Sequence, residues 1–82
     1  MSRLYSRIVN TVTTYEVEDG FNLIIVRKPA TTNFEVWLTH NSIGIADFLF
    51  GGNQDLTDED LIDLFDANAE EYMSTFYAEY DD

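Results

Sequence analysis

The chain has 82 residues and carries 16 Asp and Glu against 4 Lys and Arg, a formal net charge of −12 at pH 7. This length allows a single domain with a modest core, and 45% hydrophobic and 15% aromatic residues are too many for a disordered acidic tail. The absence of Cys excludes disulfides and thiolate metal sites, and the negative charge argues against direct binding to nucleic acid or an anionic membrane.

No segment of the chain is typical of a membrane anchor. The longest uninterrupted apolar run is Leu23-Ile24-Ile25-Val26, whereas a transmembrane helix needs about 20 such residues. The first residues include two arginines but no apolar run of the kind that a secretory signal requires. We therefore expect a cytoplasmic protein.

A short helix and three strands are predicted in the first half of the chain. Apolar side chains recur at the spacing of one helix face over residues 2–12. Strands are predicted over residues 13–18, 21–28 and 34–40, with Asp19-Gly20 as a strong hairpin signal between the first two. Pro29 marks the turn after the second strand. This order predicts a three-stranded antiparallel meander.

The apolar patterns of the second and third strands differ. The nearly continuous apolar centre of the second strand is typical of a central strand that is covered on both faces. The third strand alternates, which places four side chains on one face of the sheet: Phe34, Val36, Leu38 and His40.

Two helices are predicted after the strands. Asn41-Ser42 is typical of a helix start, and the helical spacing that follows ends at Gly51-Gly52. The last helix is predicted over residues 57–80, where Thr57 and Asp60 resemble a capping box with Asp replacing the usual Glu or Gln. The sequence therefore predicts one α+β domain over residues 1–82, in the order αβββαα with helices packed on the meander.

Residues that could carry catalysis or bind a metal are few. His40 is the single His, and Ser42 beside it lacks any further group that marks a nucleophile–base pair. The acidic stretch over residues 53–60 lacks the Gly and Glu of a calcium loop. Gly51-Gly52 has no following Lys and Ser or Thr, so it is not a phosphate loop. We expect no enzyme activity, no catalytic residue, no metal site and no cofactor.

The acidic residues are concentrated at one end of the chain. Residues 55–82 hold eleven acids and no base. On a helix, Glu59, Asp63, Asp66 and Glu70 fall on one row at spacings i, i+4, i+7 and i+11, which spans roughly 16 Å. The candidate partner-binding residues are nine acids and one aromatic side chain: Asp55, Asp58, Glu59, Asp60, Asp63, Asp66, Glu70, Glu71, Glu79 and Tyr77.

Two interpretations of this row remain open. Most charged helix faces simply keep a protein solvated, and this one could do the same. The alternative is a surface that imitates a nucleic acid backbone, so that a protein with a Lys- and Arg-lined groove binds it in place of DNA. Aromatic side chains such as Tyr77 would then supply contacts that charge alone does not give.

In charge and predicted element order, the chain resembles the small acidic phage-encoded anti-CRISPR inhibitors of Cas9. The resemblance covers most of the chain but includes no shared motif. It implies a non-catalytic inhibitor whose acids face the Arg and Lys side chains that read the PAM duplex, in the cytoplasm of the host bacterium. The alternative is an antitoxin, immunity protein or accessory protein that neutralises another basic partner. The oligomeric state stays open.

Overall fold

Four antiparallel strands are followed by two helices in a computed structural model that describes residues 10–80. The elements, in chain order, are β1 Thr11–Glu16, β2 Phe21–Arg27, β3 Asn33–His40, β4 Ile43–Asn53, α1 Asp58–Ala67 and α2 Ala69–Tyr80. The α+β class is as predicted, with four strands instead of three. No helix within residues 10–80 is long and apolar enough to cross a bilayer.

The sheet is a meander in which each strand pairs with the next along the chain. Asp19 and Gly20 have φ angles of 58° and 82°, as a turn of this kind requires. Gly20 also lies against His40, whose Nε2 would be only 3.0 Å from a Cβ at this position. The Asp19-Gly20 turn is therefore confirmed, and glycine is needed there for both backbone conformation and space.

The core lies between the helices and one face of the sheet. That face supplies the buried side chains of β2 and β3, which alternate along each strand. The helices supply a second set from α1 and α2. Among residues 10–80, the ten buried residues are Phe21, Leu23, Ile25, Phe34, Val36, Leu38, Leu61, Phe65, Met73 and Phe76.

The predicted inward set of β3 is confirmed, with His40 half-buried at its end. The described residues confirm that β2 is a central strand but cover only one of its faces, so cover on both faces stays a prediction. Its other side chains, Asn22, Ile24 and Val26, are only partly covered because both described helices contribute to the core on the opposite face.

The helix predicted after Asn41-Ser42 is wrong, because residues 43–53 form β4. Asn41 and Ser42 connect β3 to β4 and do not cap a helix. Two register shifts in the β3–β4 pairing keep Ile43, Asp47 and Phe50 opposite inward residues of β3. These β-bulges place side chains four and three residues apart on one face, which reproduces helical spacing in a strand.

The long helix predicted over residues 57–80 is two helices, separated at Asn68. Asn68 has φ −131° and ψ 25°, and its carbonyl oxygen accepts a hydrogen bond from the Tyr72 N–H at 3.1 Å. The Tyr72 ring stacks on Phe65, with ring centroids 5.7 Å apart. The apolar spacing of the two helices is continuous in sequence, so periodicity did not indicate the break.

The helix predicted over residues 2–12 falls mostly outside the described residues. Its last two positions, Thr11 and Val12, are in β1 and pair with Arg27 and Val26. The helix therefore does not extend to Val12. Both residues are of the β-branched type that favours strands.

Candidate acidic interface

The capping box at the start of α1 forms as predicted. The Thr57 side chain accepts a hydrogen bond from the Asp60 N–H, and the Asp60 carboxylate accepts one from the Thr57 N–H, each at 3.1 Å. Asp58, Glu59 and Asp60 occupy the first turn, where the helix dipole favours negative charge. Asp60 is therefore exposed but has a structural role in beginning the helix.

The buried residues of α1 set the direction of its acids. Leu61 and Phe65 are 0% and 1% exposed and fix one face against the sheet. At about 100° per residue, Glu59, Asp63 and Asp66 fall on the opposite side of the helix. All three are exposed. Three of the four residues of the predicted acidic row therefore lie together on α1.

The predicted row does not continue straight through Glu70, because α1 ends before it. Instead, the break between the helices forms a shallow hollow of about 590 Å³. Asp66, Glu70 and Glu71 line it together with Glu18, which comes from the turn after β1. Sequence reasoning missed Glu18, since only tertiary structure brings it to the helix break. We call these six exposed acids the acidic surface: Glu18, Glu59, Asp63, Asp66, Glu70 and Glu71.

Asp58 is engaged inside the protein. Its Oδ1 accepts hydrogen bonds from Arg27 Nη2 at 2.5 Å and Nε at 3.1 Å, and its Oδ2 accepts one from the Tyr15 hydroxyl at 2.5 Å. The Tyr15 hydroxyl and the Arg27 guanidinium hold the pKa of Asp58 below its usual range, and the carboxylate raises the pKa of Tyr15. Asp58 therefore ties α1 to β1 and β2, and it does not offer a free carboxylate to a partner.

Glu79 is not among the residues that line the hollow at the helix break, and it lies on the side of α2 that faces β4. The neighbouring Asp47 carboxylate raises the pKa of Glu79. The Tyr80 hydroxyl donates a hydrogen bond to Asp47 Oδ1 at 2.5 Å, which raises the pKa of Tyr80 to about 12. Asp47, Glu71 and Glu79 line a cavity of about 590 Å³ between α2 and β4.

Tyr77 and Asp55 also lie away from the row on α1. Tyr77 is 41% exposed and packs edge-to-face on Phe21, with centroids 5.3 Å apart. Asp55 is exposed in the loop before α1.

His40 has both ring nitrogens engaged locally. Nδ1 lies 2.8 Å from Ser42 Oγ, and Nε2 lies 2.9 Å from the Asp19 carbonyl oxygen. These contacts fix the ring between two turns of the sheet.

Comparisons of this chain with known protein families, with curated proteins and with solved structures give no match. The element order of the described residues, ββββαα, also differs from the αβββαα order on which the resemblance to anti-CRISPR inhibitors partly rested. What the fold and the acidic surface define is a small α+β domain with one strongly negative side.

Proposed function

We propose that this protein is a non-catalytic inhibitor that presents its acidic surface to the nucleic-acid-binding groove of a nuclease, in a bacterial cytoplasm. The most concrete target is a CRISPR effector such as Cas9. The observation that carries the proposal is the set of exposed carboxylates on α1 and around the helix break. Within residues 10–80, the one ion pair is Arg27 with Asp58, so no basic side chain of this part of the chain pairs with these carboxylates.

The charge density of the α1 row supports imitation of a DNA strand. Helix rise places Glu59 and Asp63 about 6 Å apart along the axis and Asp63 and Asp66 about 4.5 Å apart. A DNA strand carries one charge per about 3.4 Å of axis. The row therefore reaches about two-thirds of that density over a short distance, and a rigid helix holds it without the cost of ordering a flexible chain.

The acidic surface would compete with DNA for a groove lined by Lys and Arg in two ways. Complementary potentials steer encounter and raise the association rate at low salt. Bound carboxylates also occupy the basic side chains that phosphates would otherwise contact, so the nuclease loses DNA without any chemical change.

The proposal is tested with Cas9 loaded with guide RNA, by measuring both DNA cleavage and binding of a PAM-containing duplex. The wild-type protein should reduce both, and less so as salt rises. The charge-reversal variant Asp63→Lys/Asp66→Lys/Glu70→Lys should bind at least about tenfold more weakly, since three steering charges are inverted.

The matched control reverses three exposed acids elsewhere, Glu16→Lys/Glu35→Lys/Asp55→Lys. It makes the same change in net charge but leaves the acidic surface intact, so it should retain inhibition. Equal loss in the two triple variants would show that total charge matters and the surface does not. No inhibition by the wild-type protein would exclude Cas9 as the target.

The hollow at the helix break favours a second candidate function. Glu18, Asp66, Glu70 and Glu71 line a concave site, which suits a compact basic cluster on a toxin or subunit better than an extended DNA groove. An antitoxin, immunity protein or accessory protein would use it in this way. Competition with duplex DNA distinguishes the two functions. DNA should displace a DNA-mimicking inhibitor from its nuclease, whereas it should not disrupt the complex with a toxin or subunit that does not bind DNA.

A further inference from the structure

The face of the sheet opposite the described helices is open among residues 10–80. Strand register gives three rows of side chains across it. The middle row is apolar apart from Thr14, and its last member, Phe48, is 54% exposed. Val12 in the first row is 59% exposed. The rows are Val12-Val26-Glu35-Gly51, Thr14-Ile24-Trp37-Phe48 and Glu16-Asn22-Thr39-Ala46; we call them the open sheet face.

The centre of this face has the chemistry of a protein interface. The rings of Trp37 and Phe48 pack edge-to-face, with centroids 5.5 Å apart. The indole N–H of Trp37 donates a hydrogen bond to Glu35 Oε1 at 3.1 Å. The polar atom of the indole thus has its partner already, and only its apolar surface remains to be covered. Phe48 is exposed and Trp37 is half-buried, and aromatic side chains of this kind are typical of the energetic centre of protein–protein contacts.

Charge is scarce on the open sheet face. Its charged residues are Glu16 and Glu35, which lie in different outer rows. The acidic surface, by contrast, belongs to the helices and the β1–β2 turn. A basic partner is therefore attracted to the helix side of the molecule, and the open sheet face suits a partner that is nearly neutral over the contact.

We propose that this partner is a second copy of the chain, with the two open sheet faces packed against each other. Two molecules of charge −12 repel one another, and the repulsion is smallest when the weakly charged faces meet and the acidic helices lie on the two outer sides. A two-fold axis through the middle row makes the contact isologous, so that apolar side chains meet apolar side chains. Two stacked sheets are a common solution for faces of this kind.

The size of the open sheet face sets the strength of this dimer. Four strands about 4.8 Å apart and six residues at about 3.3 Å each give a footprint of roughly 400 Å² per copy. A stable interface buries about 800 Å² per partner. The dimer is therefore weak and depends on protein concentration, and the electrostatic repulsion between copies makes it tighter as salt rises.

Sedimentation velocity of the purified protein alone tests this inference, independently of any nuclease. The full chain is measured over a concentration series up to about 1 mM, the range of weak association, at low and at high NaCl. We expect a dimer fraction that increases with both concentration and salt. Binding to a basic partner shows the opposite salt dependence, so the two interactions are distinguishable.

Two matched variants locate the contact. Phe48→Asp adds a charge to the centre of the open sheet face and should weaken association by about tenfold or more. Leu64→Asp adds the same charge at a residue 48% exposed on α1, and should dimerise as the wild type does. Circular dichroism and thermal unfolding establish that each variant is folded, and Val12→Asp provides a second variant of the face.

Three outcomes would overturn the proposal. A monomer at every concentration and salt would show that the open sheet face is not a self-association site, including the case in which residues 1–9 cover it. A dimer that Phe48→Asp and Val12→Asp leave intact would place the contact elsewhere. Equal weakening by Leu64→Asp and Phe48→Asp would show an effect of total charge.

Discussion

Replacing Asp63 and Asp66 with Asn should stabilise the protein, because no side chain among residues 10–80 forms a hydrogen bond or ion pair with either carboxylate. Asp63 is four residues from Glu59 and three from Asp66, and all three are exposed on the outer side of α1. Each such like-charge pair costs about 0.2–0.5 kcal/mol. Asp66 also lies in the last turn of α1, where the negative end of the helix dipole makes an acid unfavourable by about 0.3–1 kcal/mol.

These effects together predict a gain of about 1–2 kcal/mol in the free energy of unfolding at low salt. Asn and Asp have similar helix propensity, so the substitution itself changes little. For a domain of this size the gain corresponds to a rise of roughly 5–10 °C in Tm. Because the Debye length shrinks from about 10 Å at 0.1 M to about 3 Å at 1 M salt, the difference from wild type should largely disappear at high salt.

Thermal and urea unfolding of the double variant, in low and high NaCl, measure this prediction. The matched control is Glu16→Gln/Asp55→Asn, which also removes two negative charges from exposed sites but none from the α1 row. A gain equal to that of the control would mean that only net charge matters. A loss of stability, or a gain that persists at high salt, would refute the repulsion argument.

Three further changes test the core and the two tyrosine–carboxylate contacts. Phe65→Ala, at a residue 1% exposed, should cost about 3–5 kcal/mol in chemical unfolding, whereas Leu64→Ala beside it should cost less than about 0.5 kcal/mol; equal costs would contradict the packing of α1. Because the pKa of Asp58 is lowered in the folded protein, its contribution to stability is present above the unfolded value of about 3.9 and is lost as the pH falls below that value. The Asp58→Asn variant should not show this loss of stability at acid pH. An acid-unfolding transition identical to that of the wild type would exclude the contribution of Asp58. The Asp47 contact raises the pKa of Tyr80 to about 12, so the neutral hydroxyl stabilises the fold below the ordinary tyrosine value of about 10, and this stabilisation is lost as the pH rises through 12. The pKa of Tyr15 is raised as well, so ultraviolet titration should show fewer late-ionising tyrosines in Asp47→Asn than in the wild type. Identical curves would refute the Tyr80–Asp47 contact.

The parts of the fold that sequence predicted are those determined by local chemistry. The Asp19-Gly20 turn requires positive φ, and the Thr57–Asp60 capping box satisfies backbone groups within four residues. Both signals can be recognised from a few consecutive residues. The alternation of buried and less buried side chains in β3 could also be predicted from the sequence, because a regular strand with one buried face has a period of two.

β4 was misread because its periodicity results from pairing with β3. The two register shifts change which residues face inward. Gly44 lies in the second shift and is of a type that marks β-bulges, but Leu49 in the first shift is not. Asn68 presents a similar problem. Its neighbours Ala67 and Ala69 favour helix, and the stacking of Tyr72 on Phe65 and Phe50 beside the break is a tertiary contact that the sequence does not show.

The sequence predicted the candidate site as a set of acids. The structure shows that some of these acids form contacts within the domain and that others are exposed. Contacts within the domain explain the carboxylates of Asp58 and Asp60, and Glu79 lies beside Asp47. Glu18 joins the acidic surface through tertiary structure alone. Spacing along one helix could not distinguish an acid that bonds to its own domain from one that does not.

This separation determines which acids bear on function. An acid that caps a helix or pairs with Arg27 stabilises the fold. That contact alone accounts for the residue, so its presence is not evidence for a binding partner. Asp63 and Asp66 are different, because repulsion between like charges lowers the free energy of unfolding at both positions and the helix dipole lowers it further at Asp66. None of the described side chains forms an ion pair that offsets this loss. Glu70 and Glu71 add to the same negative field at the helix break. If neutralising Asp63 and Asp66 raises stability and also removes binding to a basic partner, the two carboxylates reduce stability but are needed for function. A surface that only keeps the protein solvated would show the gain in stability without any loss of binding.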